Sequence, residues 1–239
     1  MTSAWTETLG VFDLETTGVD VETARIVTAH VGVLDADGRQ LESWSWMADP
    51  GIEIPAGATA VHGVTTERAR REGRPAAEVV AEIVDRLTTL FARGLAVTIY
   101  NAPYDLSLLD REAARHGVSP LVHGPIIDPL VLDKAVDRYR RGKRTLTAAT
   151  EHYGIRLDDA HDARSDAVAA GRVAQAIARR YPVEVLVDLD VLHEMQVGWC
   201  RDQAESFQEY MRRVRDPEFV ADGAWPLRAA KLAEAVVAA

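Results

Sequence analysis

The chain has 239 residues, 47% hydrophobic and 27% charged, enough for one good core and a small appendage. Its formal net charge of −10 argues against a protein that coats long duplexes, because phosphate binding draws on a basic footprint. The single cysteine, Cys200, excludes an internal disulfide and a cysteine-based zinc site, and reads as a small core hydrophobe in a reducing compartment. No apolar run approaches the length of a membrane span, and Met1 to Glu7 lacks the basic start and apolar middle of a signal peptide, so the expected location is the cytoplasm.

Leu9 to Leu14, Ile26 to Leu34 and Leu41 to Met47 read as three antiparallel strands, with Asp35-Ala36-Asp37-Gly38 as a hairpin turn. Within Val11-Phe12-Asp13-Leu14-Glu15-Thr16-Thr17-Gly18, the two-residue period of a strand puts Asp13 and Glu15 on one face and Leu14 on the other. Two carboxylates that close repel, so either a proton or a cation sits between them, and oxygen ligands favour a hard ion such as Mg2+ or Mn2+. A strand end carrying two solvated acids would give the same pattern.

Helical patterns then alternate with short apolar runs: Pro75 to Phe91, a strand over residues 96 to 100, a helix from Tyr104 to His116-Gly117, and a strand near Ile126 to Asp128. That is an α/β layout. Asp105 falls in the first turn of its helix, where an acid complements the helix dipole with or without a catalytic role. Arg138-Tyr139-Arg140-Arg141-Gly142-Lys143-Arg144, five basic residues and an aromatic before a helix, is the best candidate for a local positive groove, and equally fits a solvated loop.

His161-Asp162-Ala163-Arg164-Ser165-Asp166 opens a helix carrying Ala170, Val173, Ala174 and Ile177. Five helical residues turn through about 500°, so two helical side chains at these positions would point roughly 140° apart. His161 is therefore expected in the entering loop, swinging over a site that Asp166 faces from the helix, as a general base requires. Turn and capping roles, with Asp162 as N-cap, satisfy the same residues. Beyond Val183 a second helical face appears, through Leu189, Leu192, Met195, Gln196, Trp199, Gln203, Phe207, Tyr210 and Val214, and it is expected to pack onto the chain's own core.

Taken together, Asp13, Glu15, Asp105, His161 and Asp166 resemble, in order and spacing, the signature of the DnaQ-like, DEDDh-type 3′→5′ exonucleases. Further points of likeness are Ile54-Pro55, Val61-His62-Gly63-Val64-Thr65, Ile127-Asp128, and Leu146 through Tyr153-Gly154-Ile155, so that the resemblance spans residues 8 to 180. It implies a ribonuclease H-like mixed sheet flanked by helices over residues 1–182; from about Val183 the likeness fades, and the second helical face reads as a C-terminal helical extension over 183–239. It implies two divalent cations, Mg2+ or Mn2+, roughly 4 Å apart, with Asp13 bridging them, Glu15 and Asp166 completing one sphere and Asp105 supporting the other. His161 would take the proton from the attacking water. The backbone around Leu14, Thr16 and Thr17 would form a floor under the terminal sugar, with Leu14 or His62 against the terminal nucleotide and Arg141, Lys143 and Arg144 on phosphates. His62 with Gly63 alternatively caps the helix from Thr66 to Arg71.

The activity so implied is metal-dependent release of nucleoside 5′-monophosphates from 3′ ends of single-stranded or frayed DNA, in proofreading or repair, with little base preference. An RNA-trimming enzyme is the alternative within this chemistry, since the residues that would sense a 2′-hydroxyl are not identifiable. A non-catalytic module binding a polymerase through residues 183–239 is the alternative of another class, and a small-molecule phosphodiesterase ranks last because the basic loop would have no role. A DNA polymerase acting in trans is a candidate partner. Gln203-Ala204-Glu205-Ser206-Phe207 only faintly resembles a sliding-clamp peptide, and its place inside a helix counts against a clamp.

Overall fold

The computed structural model of the chain describes residues 5–157 and 160–229; the first four residues and the alanine-rich tail lie outside it. Strands β1 (Thr8–Thr16), β2 (Ile26–Asp35) and β3 (Gln40–Asp49) form an antiparallel meander, read almost to the residue from their alternation. The turn between β2 and β3 is closed by the Asp35 carboxylate, which accepts from the backbone N–H of Asp37 and Arg39 at 2.9 and 2.8 Å, with Gly38 at φ 73°. Register between β1 and β2 breaks between Glu15 and Thr16, an irregularity that ends regular pairing where the acidic pair sits.

Helices α1 (Ala56–His62) and α2 (Thr66–Glu72) lead to the short strand β4 (Arg74–Pro75) and the long helix α3 (Ala76–Ala92). Then come β5 (Val97–Thr98), α4 (Ala102–His116), β6 (Ile126–Ile127), α5 (Pro129–Val136), α6 (Leu146–Tyr153), α7 (Ala163–Arg180), α8 (Pro182–Val185) and α9 (Leu189–Val214). The strands join in the order β4-β3-β2-β1-β5-β6, with β5 parallel to β1 and β6 parallel to β5. β1 is central and covered on both faces. Its even residues Phe12 and Leu14 pack with Val79, Ile83, Leu87, Leu106 and Leu109 of α3 and α4, and its odd residues Leu9 and Val11 pack with Ala167, Val173, Ala174 and Ile177 of α7. Asp13 and Glu15 continue the odd series, so they emerge on the α7 face.

Where sequence and structure differ, the cause is local. Arg74 and Pro75 pair with Ala48 and Asp49 at the sheet edge, where a missing proline N–H costs little, and α3 starts only afterwards. α4 begins at Ala102 rather than Tyr104, because Pro103 fits a first helical turn. The strand read over 96–100 shortens to two residues, matching the length of its pairing with β1 and β6. α1 has no buried residue and therefore no apolar stripe by which to read it.

The C-terminal segment closes onto the same core. Leu192 and Gln196 of α9 are fully buried; the Gln196 side chain accepts from Asp128 N at 2.7 Å and donates to Ile126 O at 2.8 Å, hooking α9 to the edge strand β6. Trp225 is buried and donates through Nε1 to Asp128 Oδ2 at 3.3 Å, and Arg228 N donates to Ser107 Oγ on α4 at 2.8 Å. The expected helical face thus divides: Trp199 packs inward, while Phe207, Tyr210 and Val214 stand half-exposed. No helix among the described residues is long and apolar enough to cross a membrane.

The seating of α7 on β1 and β2 depends on Gly171. A Cβ there would lie 2.6 Å from both Val11 Cγ1 and Leu34 Cδ1, so a side chain forces these two to repack or the helix to shift. Gly171→Val should lower the free energy of unfolding by about 1–3 kcal/mol in urea titrations. Gly198→Ala on α9, where nothing lies within 4 Å of the added Cβ, should be neutral or gain up to about 1 kcal/mol.

Candidate active site

A cleft of about 690 Å³ opens at the carboxyl end of β1, and all five sequence-selected residues, Asp13, Glu15, Asp105, His161 and Asp166, line it. They arrive on four supports. Asp13 and Glu15 come from the strand; Asp105 comes from the first turn of α4, where its Oδ1 accepts from Leu14 N at 3.1 Å and so ties helix to strand. Asp166 comes from the first turn of α7, which Asp162 caps by accepting from Ser165 N at 3.0 Å. His161 precedes that cap in a left-handed conformation, φ 69°, and its backbone N–H donates to Asp166 Oδ2 at 3.2 Å. A non-glycine residue in this region is uncommon and needs its surroundings to hold it there. The expectation that His161 sits in the loop and Asp162 caps the helix agrees with this geometry.

Ligand atoms of Glu15, His161 and Asp166 all lie within 4.8 Å of one another. The electrostatics follow from crowding in a partly dry site. Burial, followed by the charges of Asp105, Asp166 and Glu15, raises the Asp13 carboxyl well above its ordinary value. Burial and the neighbouring Asp166 push Glu15 up to about 8. Burial also raises Asp105 and Asp166, against the opposing pull of the Leu14 and His161 N–H groups. Asp166 Oδ1 is buried without a hydrogen-bond partner among the described residues. An oxygen-rich donor set with one imidazole, an excess of negative charge and an orphaned carboxylate oxygen fits divalent cations.

Several residues that shape the cleft were not assigned a role from sequence. Asp128 is buried and accepts from Asn101 N and Ala102 N at 3.0 and 2.9 Å and from Leu130 N at 3.0 Å, so one carboxylate fixes the starts of both α4 and α5. It stood in the sequence within the Ile127-Asp128 pair, but its span to Asn101 is a tertiary fact. Tyr104, next to Asp105, lines the cleft, and its hydroxyl lies at hydrogen-bond distance from Thr16 Oγ1 and Gly18 O. The start of α4, a Pro at its N-terminus followed by Tyr and Asp, is the signal that could have singled it out.

The expected substrate residues are placed unequally. Leu14 lines the cleft; the Thr16 hydroxyl is engaged by Gly18 and Tyr104, and Thr17 Oγ1 accepts from Arg25 N at 3.0 Å. His62 ends α1, with Nδ1 accepting from Val64 N at 3.2 Å and its buried Nε2 without a hydrogen-bond partner within 3.5 Å among the described residues; Thr65, not His62, caps α2. Burial lowers the His62 pKa, and the Thr16 backbone and His161 lie near enough to act on its charge. In the basic loop, Lys143 and Arg144 line the cleft, but the Arg144 guanidinium donates to Asp133 Oδ2 at 2.7 Å and Asp137 O at 2.6 Å. Arg140 also donates to Asp133 Oδ2, at 2.5 Å, and the Tyr153 hydroxyl donates to Oδ1 at 2.7 Å. Burial alone would raise Asp133, yet these three donors hold its carboxyl below the usual range. Two of the five basic side chains therefore build the loop, whereas Arg141 is exposed with no ion pair among the described residues.

The RNase T exonuclease family matches residues 11–174. A DNA polymerase III subunit epsilon-like protein of Rhodobacter capsulatus is 32% identical over 179 residues, covering 73% of this chain and 24% of that protein. A PolC-type DNA polymerase III of Streptococcus thermophilus is 29% identical over 164 residues, covering 68% of this chain and 10% of that protein. The chain thus spans a quarter or less of the length of these relatives. Among solved structures, Escherichia coli exonuclease I in complex with a dT13 oligonucleotide superposes with a TM-score of 0.65 at 22% identity, over 74% of this chain and 42% of that one. The mixed six-stranded sheet with helices on both faces is accordingly the ribonuclease H-like fold. With the family match over 164 residues and the signature acids and histidine gathered in one cleft, the chain belongs to the DnaQ-like exonucleases of the RNase T family.

Proposed function

We propose that this chain is a 3′→5′ exonuclease that uses two divalent cations, Mg2+ or Mn2+, to hydrolyse the terminal phosphodiester bond of single-stranded or frayed DNA and release nucleoside 5′-monophosphates. The observation that carries this reading is the convergence of Asp13, Glu15, Asp105, His161 and Asp166 in one cleft, with a buried Asp166 oxygen left unpartnered among the described residues. Asp13, Glu15, Asp105 and Asp166 would hold the cations. When bound, divalent cations neutralise charge that develops on phosphoryl oxygens and lower the pKa of water.

The chain's own residues do the rest. His161, exposed and displaced from the helix by its left-handed backbone, accepts the proton of the attacking water. Its backbone bond to Asp166 keeps the imidazole at the mouth of the cleft. Leu14, Thr16 and Thr17 form the floor under the terminal sugar, with the Tyr104 hydroxyl bracing Thr16, and His62 stands beyond that floor. Lys143 and Arg141 meet phosphates, while Arg144 acts by holding the loop on Asp133. Work in proofreading or repair, with a polymerase acting in trans, accords with relatives named as polymerase III proteins.

Incubation with 5′-labelled single-stranded DNA and RNA of one sequence should give a ladder shortening from the 3′ end with Mg2+ or Mn2+ and none with EDTA. DNA should be cut faster than RNA. His161→Gln should lower kcat about 10²-fold or more, and Asp13→Asn further still. Absence of any ladder from a folded protein would overturn the proposal.

The acid cluster also sets a pH dependence. In the absence of metal, Glu15 holds its proton up to about 8 when folded, against an ordinary value of 4.5. A raised carboxyl pKa stabilises the fold fully below the ordinary value, and that contribution is lost as pH rises toward the folded value. The metal-free melting temperature should therefore fall between about pH 5 and pH 8, and Glu15→Gln should flatten that fall. Millimolar Mn2+ should raise the melting temperature of the parent more at pH 8 than at pH 6, because bound cations displace protons, and should raise that of Asp13→Asn much less.

A further inference from the structure

The cleft does not end at the acids. Its wall at Asn101, Leu130 and Lys134 continues into a second cavity of about 390 Å³, which these three residues share with it. That cavity in turn shares Lys134, Gln203 and Phe207 with a groove of about 650 Å³ between α5 and α9, where Trp199, Phe207 and Tyr210 face Arg138. Lys134 lines all three. Phe207 and Tyr210 are 50% and 51% exposed, and Phe219 meets Phe207 edge-to-face with ring centroids 5.5 Å apart. Neither Lys134 nor Arg138 forms an ion pair with a carboxylate among the described residues, and the Arg138 guanidinium lies 5.9 Å over the Tyr139 ring. Asp202 lines the groove and is paired with Arg201 at 3.7 Å; Asp128 and Asp222 line the second cavity, Asp128 accepting from Asn101 N and Ala102 N and Asp222 from Ala224 N at 2.9 Å.

We infer that this groove carries the upstream nucleotides of the single strand whose 3′ end lies in the cleft, its bases against Phe207 and Tyr210 and its phosphates against Lys134 and Arg138. The inference rests on the exonuclease reading above. A strand held by its 3′ end must leave the cleft, and the exit it shares with this groove combines the two features a single strand needs. Aromatic faces stack bases of any identity, and unpaired cations meet the backbone. From Trp199 to Tyr210 the helix spans about 16 Å, room for about five stacked nucleotides. The same rings could instead receive a protein partner, but a protein partner gives no reason for the groove to run into the acid cleft.

The test compares the parent, a Phe207→Ala/Tyr210→Ala double variant and Val191→Ala, which is 50% exposed on α9 outside the groove. Steady-state kinetics use strands of about four and about fifteen nucleotides. The parent and Val191→Ala should show a lower KM for the longer strand. The double variant should raise that KM about tenfold or more, toward the short-strand value, with the effect in KM rather than kcat. Anisotropy with the labelled longer strand in EDTA should show a matching loss of affinity, and Arg138→Ala should reduce the salt slope by about one. Parent-like KM and affinity in the double variant, or no length preference in the parent, would overturn the inference and leave this face to a protein partner. Absence of 3′ shortening at every length would instead count against the exonuclease reading, while the EDTA binding arm still decides the path of the strand.

Discussion

Four carboxylates drawn into one partly dry cleft repel one another, and much of the architecture serves to hold them there. Two such charges about 5 Å apart oppose each other by roughly 3 kcal/mol at an effective dielectric constant near 20, and less where solvent reaches them. Burial raises the pKa of all four, Asp13, Glu15, Asp105 and Asp166, and repulsion from the other cleft acids adds to it at Asp13 and Glu15. Left to itself the arrangement relaxes by protonation; in the presence of divalent cations it becomes a preformed binding site. A cluster of this kind persists only where the surrounding backbone leaves it no other place to go.

That constraint is spread over sequence-distant bonds. Leu14 N on Asp105 joins β1 to α4, and His161 N on Asp166 joins a turn to α7. Asp128 sits one layer out and fixes the starts of α4 and α5 at once, while Gln196 and Trp225 reach it from the C-terminal segment. α9 and the strap that follows it are therefore mechanically connected to the helix carrying Asp105. On the other side, the absent side chain of Gly171 lets α7 approach β1 closely enough for Asp166 to face Glu15.

Charge is distributed with the same economy. The net charge of −10 suggests a poor nucleic-acid protein, and the basic loop over residues 138–144 looks like its remedy. In the fold, Asp133 takes up Arg140 and Arg144, so that part of this positive charge shapes the loop rather than facing solvent. Among the described residues, Arg138, Arg141 and Lys143 of that loop are left without a carboxylate partner; Lys143 lines the cleft, and Arg138 joins Lys134 along its continuation. Local placement, rather than total charge, decides what such a surface can bind.

The sequence by itself determined the strands of the meander, the helices with strong apolar periodicity and the identity of the five cleft residues. Those signals are local: a two-residue period fixes the face of Asp13 and Glu15, and a capping Asp162 forces His161 off the helix. Only the tertiary structure decided which arginines stay free, that Asp128 rather than a nearer residue anchors α4, and that the helical face beyond residue 183 divides into a packed half and an open half. Each of these depends on which groups separated by tens of residues come within hydrogen-bond reach. Nothing in Arg144 or Asp128 taken alone records that Asp133 or Asn101 will be its partner. Periodicity shows which side of an element is apolar, but the partner across that side is set by how the layers close.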